Sequence, residues 1–172
     1  GMAIWHALSG CANEILRALA IYLKSDESTF VDMVDGGNTV LRVIRYPGST
    51  ESIRGEEGAV WAAAHEDINL ITLLVEATEP GLQLLTREGE WLPIEPVPGQ
   101  LIVDTGDIMQ RITNRKIPAT THRVIASPGQ SKERFSVPFF VHPRPDVPLA
   151  VLPSCIDGSS TPNPPISAGR YL

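Results

Sequence analysis

Between positions 8 and 23 the apolar residues fall at Leu8, Ala12, Ile15, Leu16, Leu19 and Leu23. Steps of three and four gather them on one face of a helix, so the pattern predicts an amphipathic helix over 8–24. Lys24 suits the negative end of the helix dipole, and Ser25-Asp26 mark the stop. The period then changes. Segments 39–46, 59–64 and 69–76 are short apolar or β-branched runs bounded by Gly, Pro and Glu, the signature of strands. Segments 82–85 and 90–94 flank Thr86-Arg87-Glu88-Gly89, a hairpin turn in which glycine supplies a positive φ. Further strands are expected at 100–103, 121–126 and 135–141. Asp104-Thr105-Gly106-Asp107 closes the first of these, and Ser127-Pro128-Gly129-Gln130 separates the other two.

Strands this short, at spacings of roughly 8–15 residues, argue for an all-β sandwich or barrel preceded by one helix. Of 15 prolines, ten lie at or after Pro118. Segment 143–172 is therefore expected to be an irregular tail over the sheet, since proline cannot serve a central strand. A length of 172 residues suits one domain, with enough chain to bury a core without disulfides or a structural metal.

Composition narrows the function classes. A formal charge of -6 opposes non-specific binding to nucleic acid or an anionic membrane. No apolar run reaches the ~18 residues of a membrane span, and no basic segment precedes an apolar one at the N-terminus. Gly1-Met2 looks like a tag remnant. Two cysteines, Cys11 and Cys155, are too few for a disulfide framework and fit a reducing, cytoplasmic setting.

The candidate chemistry lies in two tripeptides. His65-Glu66-Asp67 ends a predicted strand, where residues i and i+2 share a face, so an imidazole and a carboxylate can enter one cavity. They form two thirds of the triad that holds non-haem Fe(II), and His122 at the start of a later strand is the natural third ligand. Taken alone, His122 reads more readily as a hydrogen-bonded strand histidine. Arg134-Phe135-Ser136 repeats the spacing, placing a guanidinium and a hydroxyl on one face. That pair matches a ligand carboxylate, unless a structural glutamate at the rim neutralises the arginine.

Taken in order, Leu41-Arg42-Val43-Ile44-Arg45-Tyr46-Pro47, Ala64-His65-Glu66-Asp67-Ile68-Asn69-Leu70-Ile71-Thr72-Leu73-Leu74, Gly81-Leu82-Gln83-Leu84, Asp104-Thr105-Gly106-Asp107, Thr121-His122-Arg123-Val124 and Arg134-Phe135-Ser136-Val137-Pro138-Phe139-Phe140 carry a family pattern. The chain resembles the catalytic domain of 2-oxoglutarate/Fe(II)-dependent dioxygenases of the isopenicillin N synthase-like superfamily. The resemblance implies a double-stranded β-helix, or jelly-roll barrel. It implies Fe(II) on His65, Asp67 and His122, and the distal carboxylate of 2-oxoglutarate on Arg134 and Ser136. Tyr46 is implied to contact cosubstrate or substrate. The partners implied are a small-molecule substrate, 2-oxoglutarate and O2.

Asp104 and Asp107 are read as turn residues rather than ligands. Glu66 is expected on the opposite face from its neighbours, His6 and His142 at the surface or in the core, and Trp5, Trp61 and Trp91 in packing roles. The chain is expected to lack the N-terminal region usual in the superfamily and to stop within its C-terminal helix. The uncovered surface would then favour a homo-oligomer. The functional expectation is an oxygenase that hydroxylates, desaturates or cyclises a small molecule with release of succinate and CO2. The alternatives are a 2-oxoglutarate-independent Fe(II) oxidase, in which Arg134 binds the substrate, and a catalytically silent barrel that only binds.

Overall fold

The computed structural model describes residues 1–48, 60–126, 132–156, 158, 161 and 163–172. Helix α1 spans Met2–Tyr22 and buries Leu8, Ala12, Leu16 and Ala20, a four-residue repeat that turns one stripe to the protein. It starts nearly two turns earlier than its apolar spacing suggests, because Met2 and Ile4 extend the helix while remaining exposed. At its end Lys24 takes φ 55°, and the amides of Lys24 and Ser25 donate back to the carbonyls of Ile21 and Ala20. This satisfies carbonyls the helix leaves free. A second helix, α2 (Thr29–Val34), follows and buries Phe30 completely. Its six residues are too short for a periodic signal, so the expectation of one leading helix is corrected to two.

Nine antiparallel strands follow among the described residues. Their bounds are β1 Val40–Leu41, β2 Ile44–Tyr46, β3 Val60–His65, β4 Ile71–Val75, β5 Leu82–Leu85, β6 Trp91–Pro93, β7 Leu101–Thr105, β8 His122–Ile125 and β9 Arg134–Val141. The larger sheet runs β1-β9-β4-β7, with β2 also on β9, and the smaller runs β3-β8-β5-β6. This is a mainly β, two-sheet frame of the double-stranded β-helix type, and its barrel is not closed by pairing between the sheets. Segment 39–46 divides into two strands, and the hairpin at Thr86–Gly89 is present with Gly89 at φ 85°. The turn expected at 127–130 lies outside the described residues.

Strand alternation assigns the two faces of the larger sheet to different work. Phe139 and Val141 of β9, with Ile71 and Leu73 of β4, point outward and are almost wholly buried beneath α1. Trp5 of α1 meets the Phe139 ring edge-on at 5.1 Å, so its packing role holds. The even-numbered residues Arg134, Ser136 and Pro138 point the other way, into the space between the sheets. The core therefore lies between helices and sheet, and the interior of the frame is free to hold a polar cavity.

Two further expectations are corrected. Asp104 is still in β7, and Asp107 opens a short helix, α3 (Asp107–Ile112), that buries Ile108, Met109 and Ile112. The tail is not merely irregular. It holds a 3-10 turn at Pro153–Cys155, a short helix α4 (Ala168–Tyr171) and an antiparallel bridge Pro148–Ser167. It also sends Leu149, Leu152, Cys155 and Ala168 into the core. No helix among the described residues is long and apolar enough to cross a membrane.

Candidate functional site

The register of β3 on β8 sets His65 directly opposite His122, and their rings lie 4.3 Å apart. Each imidazole is oriented from behind: Nδ1 of His65 is 2.7 Å from the Ala63 carbonyl, and Nδ1 of His122 is 3.0 Å from that of Thr120. With Nδ1–H donating to those carbonyls, Nε2 keeps its lone pair for a cation. Asp67 completes the group. One donor atom from each of His65, Asp67 and His122 lies within 4.8 Å of the others, and this is the one such cluster among the described residues.

Asp67 arrives by a different route from the one expected. Strand β3 ends at His65, so a turn rather than strand alternation presents the carboxylate. The Asp107 amide pins that turn by donating to the Asp67 carbonyl at 2.7 Å. Gly106 is required there. A Cβ on it would meet the backbone oxygens of Asn69 and Asp67 at 2.4 and 2.6 Å.

Behind the carboxylate stands a network that strand patterning gave no reason to single out. The Thr72 hydroxyl donates to Asp67 Oδ2 and accepts from Asn69 Nδ2 at 2.7 Å. Thr72 and Asn69 are 3% and 0% exposed, so water cannot substitute for either bond. One carboxylate oxygen is thereby engaged, and Oδ1, 3.9 Å from His65 Nε2, faces the cluster. Replacing Thr72 by Val keeps the shape and removes the hydroxyl. Fe(II) affinity is expected to fall roughly 10–100-fold by anaerobic calorimetry, and Thr72→Ser should restore it.

Arg134 and Ser136 are buried on the same cavity wall, 1% and 3% exposed. Arg134 Nε donates to the Glu79 carbonyl at 3.0 Å, while Nη1 is buried without a hydrogen-bond partner. Among the described residues no carboxylate pairs with it: Glu79 meets Lys132 and Glu133 meets Arg45. No glutamate among the described residues therefore neutralises the arginine. Burial lowers the Arg134 pKa, opposed by the phenol of Tyr46, whose ring lies 5.1 Å from the guanidinium. Tyr46 is its register partner on β2 and also stacks on Trp61 at 5.4 Å, so that tryptophan braces the site.

The remaining acids divide. Glu66 does not turn away. It lines the cavity and accepts from the Thr121 hydroxyl at 2.8 Å. Asp107, at the start of α3, has its pKa raised by burial first and then by its hydrogen bond to the Glu66 carboxyl. Asp104 lines the cavity, its Oδ1 buried and unpartnered. Burial, and after it the charge of Asp67, pushes its pKa up to about 7. His142, expected at the surface or in the core, also lines the cavity and is half-buried. Desolvation lowers its pKa against the opposing pull of Asp67.

The Asp104 shift has a defined sign. Between about pH 4 and 7 the folded, metal-free protein holds a proton that the unfolded chain has released, so stability falls as pH rises through that window. The penalty is on the order of 2 kcal/mol above pH 7 once partial solvent contact is allowed for. Denaturant unfolding of metal-free protein at pH 5 and pH 8 should show this loss, and Asp104→Asn should flatten it.

The frame and the site together define a protein of the double-stranded β-helix class with two imidazoles and a carboxylate placed so that they could hold a metal. Comparison with known proteins gives the same class. The 2OG-Fe(II) oxygenase superfamily model matches residues 37–143. The 2-oxoglutarate-Fe(II) type oxidoreductase hxnY of Emericella nidulans is 36% identical over 168 residues, covering 96% of this chain and 47% of its own. A crystal structure of a 2OG-Fe(II) oxygenase family protein from Caulobacter crescentus superposes with TM-score 0.87 at 36% identity, over 99% of this chain and 55% of that one. A full-length Neurospora crassa protein crystallised in complex with alpha-KG gives a TM-score of 0.89 at 28% identity, over 98% of this chain and 54% of that one. The chain belongs to the 2OG-Fe(II) oxygenase superfamily, whose members use Fe(II) and 2-oxoglutarate. It spans about half the length of the curated relatives it matches.

The residues present fit both groups. Two imidazole nitrogens and one carboxylate oxygen are the donor set of a non-haem Fe(II) site with open positions. A buried arginine with an unsatisfied Nη1 beside a buried serine suits an anionic carboxylate.

Proposed function

We propose that this chain carries the active site of a non-haem Fe(II)- and 2-oxoglutarate-dependent oxygenase that hydroxylates, desaturates or cyclises a small molecule. Succinate and CO2 are the products from the cosubstrate. The observation behind this reading is the convergence of His65, Asp67 and His122 in one cavity with a buried Arg134 that no described carboxylate compensates. When bound, the iron would supply the oxidising chemistry, with O2 as the oxidant and 2-oxoglutarate as the co-reductant that is converted to succinate and CO2.

The protein contributes geometry. His65, Asp67 and His122 would hold the cation with their backs tied to Ala63, Thr72 and Thr120. Arg134 and Ser136 would bind the distal carboxylate, and the Arg134 fork is already aimed by the Glu79 carbonyl. Tyr46 would close that end of the site. The cavity has a volume of about 440 Å³ and is mostly apolar in its walls, with room for a small molecule beside the candidate ligands.

The test is anaerobic. Adding Fe(II) and then 2-oxoglutarate to metal-free protein should produce the visible charge-transfer band of a chelated 2-oxo acid. Iron binding without that band would overturn the cosubstrate assignment. A folded protein that binds no iron would overturn the enzyme reading.

A further inference from the structure

Two edge strands pair with β9 in a fixed register. Tyr46 pairs with Arg134 and Ile44 with Ser136, the Arg42 amide donates to the Pro138 carbonyl at 3.0 Å, and Val40 pairs with Phe140. Val40, Arg42, Ile44 and Tyr46 all line the cavity. Arg42 therefore stands level with Pro138, four residues along β9 from Arg134, or about 13 Å along the sheet. Its guanidinium leans farther from Arg134 and lies 5.2 Å from the centroid of the Phe140 ring. The two cations are too far apart to share one distal carboxylate.

Arg42 also has no acid of its own among the described residues, although Glu66, Asp67 and Asp104 line the same cavity. Glu66 is engaged by Thr121 and Asp107, and Asp104 lies on β7, the far edge of the sheet from β1. Arg42 is exposed to solvent, and its guanidinium is held over the Phe140 face rather than paired with a described carboxylate, which leaves its donors open to a ligand. The wall around it is apolar: Val40, Ile44, Leu74, Pro138 and Phe140.

We infer that Arg42 is the anion-recognising group of the substrate pocket, and that the substrate is a mainly apolar monocarboxylic acid whose carboxylate pairs with this guanidinium. The inference rests on the oxygenase reading and adds the substrate class to it. A carboxylate fits because the guanidinium offers a planar fork of donors, and an apolar skeleton fits the remaining wall.

The test uses the anaerobic protein loaded with Fe(II) and 2-oxoglutarate, whose charge-transfer band is perturbed when a second ligand displaces metal-bound water. The probes are benzoate, cinnamate, octanoate and decanoate, each beside its primary amide. At least one acid should bind about tenfold or more tightly than its amide. Arg42→Met should erase that preference while leaving the 2-oxoglutarate midpoint and the thermal unfolding midpoint unchanged. A set in which no acid outbinds its amide, or a preference that survives Arg42→Met, overturns the inference while the band itself upholds the oxygenase reading. Absence of the band in the unsubstituted protein is the separate failure of that reading. The acid and amide titrations are then read by the intrinsic fluorescence of Trp61, isolated by Trp5→Phe and Trp91→Phe, with the same two outcomes.

Discussion

Asp67→Ala is expected to abolish Fe(II) binding at micromolar protein, measured by anaerobic calorimetry, with the fold retained. The loss should exceed the roughly 10–100-fold expected for Thr72→Val, because a ligand rather than its support is removed. The cause is partly Coulombic, since Asp67 is the one anionic member of the cluster and its nearly buried carboxylate offsets the charge of the dication. Metal-free Asp67→Ala should be no less stable than the parent protein. Its Thr72 hydroxyl loses an acceptor, but the raised pKa of Asp104 loses the neighbouring charge that helps to raise it. Asp67→Asn separates charge from shape: the amide can still accept from Thr72, so weak binding there identifies charge as the dominant contribution. Unimpaired iron binding by Asp67→Ala would remove this cluster from the reading altogether.

How much of this was legible in the sequence follows from the range of each signal. The frame was, because strands and the long helix write their period locally, and β9 alternates buried and partly exposed residues along its first half. The six-residue helices α2 and α3 were not, since each is shorter than two turns and blends into its flanking polar residues. Asp-Thr-Gly-Asp reads as a turn by composition. That Gly106 is there to let the Asp67 turn approach is a tertiary fact with no local trace.

The candidate ligands were found for a reason that is only partly the one first given. His65 and His122 meet through strand register, but Asp67 lies beyond the end of β3 and is set by a turn. Asn69 and Thr72 look like ordinary residues around a strand, and their role appears only when Asp67 is folded back onto them. Arg42 and His142 were within reach. Extending the even-numbered face of β9 from Arg134 to position 142, and the matching face of β1 and β2 from Tyr46 back to Val40, puts both in the cavity.

Arg134→Met should weaken 2-oxoglutarate binding by about 2–4 kcal/mol, or some 30- to 1000-fold, read as the ligand concentration needed to develop the charge-transfer band. In the metal-free protein the same substitution should leave the thermal midpoint unchanged or raise it. The opposite signs have one origin. Arg134 is almost wholly buried with Nη1 unsatisfied and no carboxylate beside it among the described residues, so the fold bears the desolvation of a charge it does not neutralise. Methionine removes that penalty and fills similar space, leaving the Glu79 carbonyl and the Tyr46 phenol without their arginine partner, a loss of about 1 kcal/mol for each hydrogen bond. Arg134→Lys should fall between the two proteins in 2-oxoglutarate affinity: it keeps a charge but gives up the planar fork and the Nε anchor. A structural arginine would behave otherwise. If Arg134→Met lowered the midpoint by many degrees while the ligand requirement stayed the same, Arg134 would belong to the scaffold, and the carboxylate site would have to be sought elsewhere in the cavity.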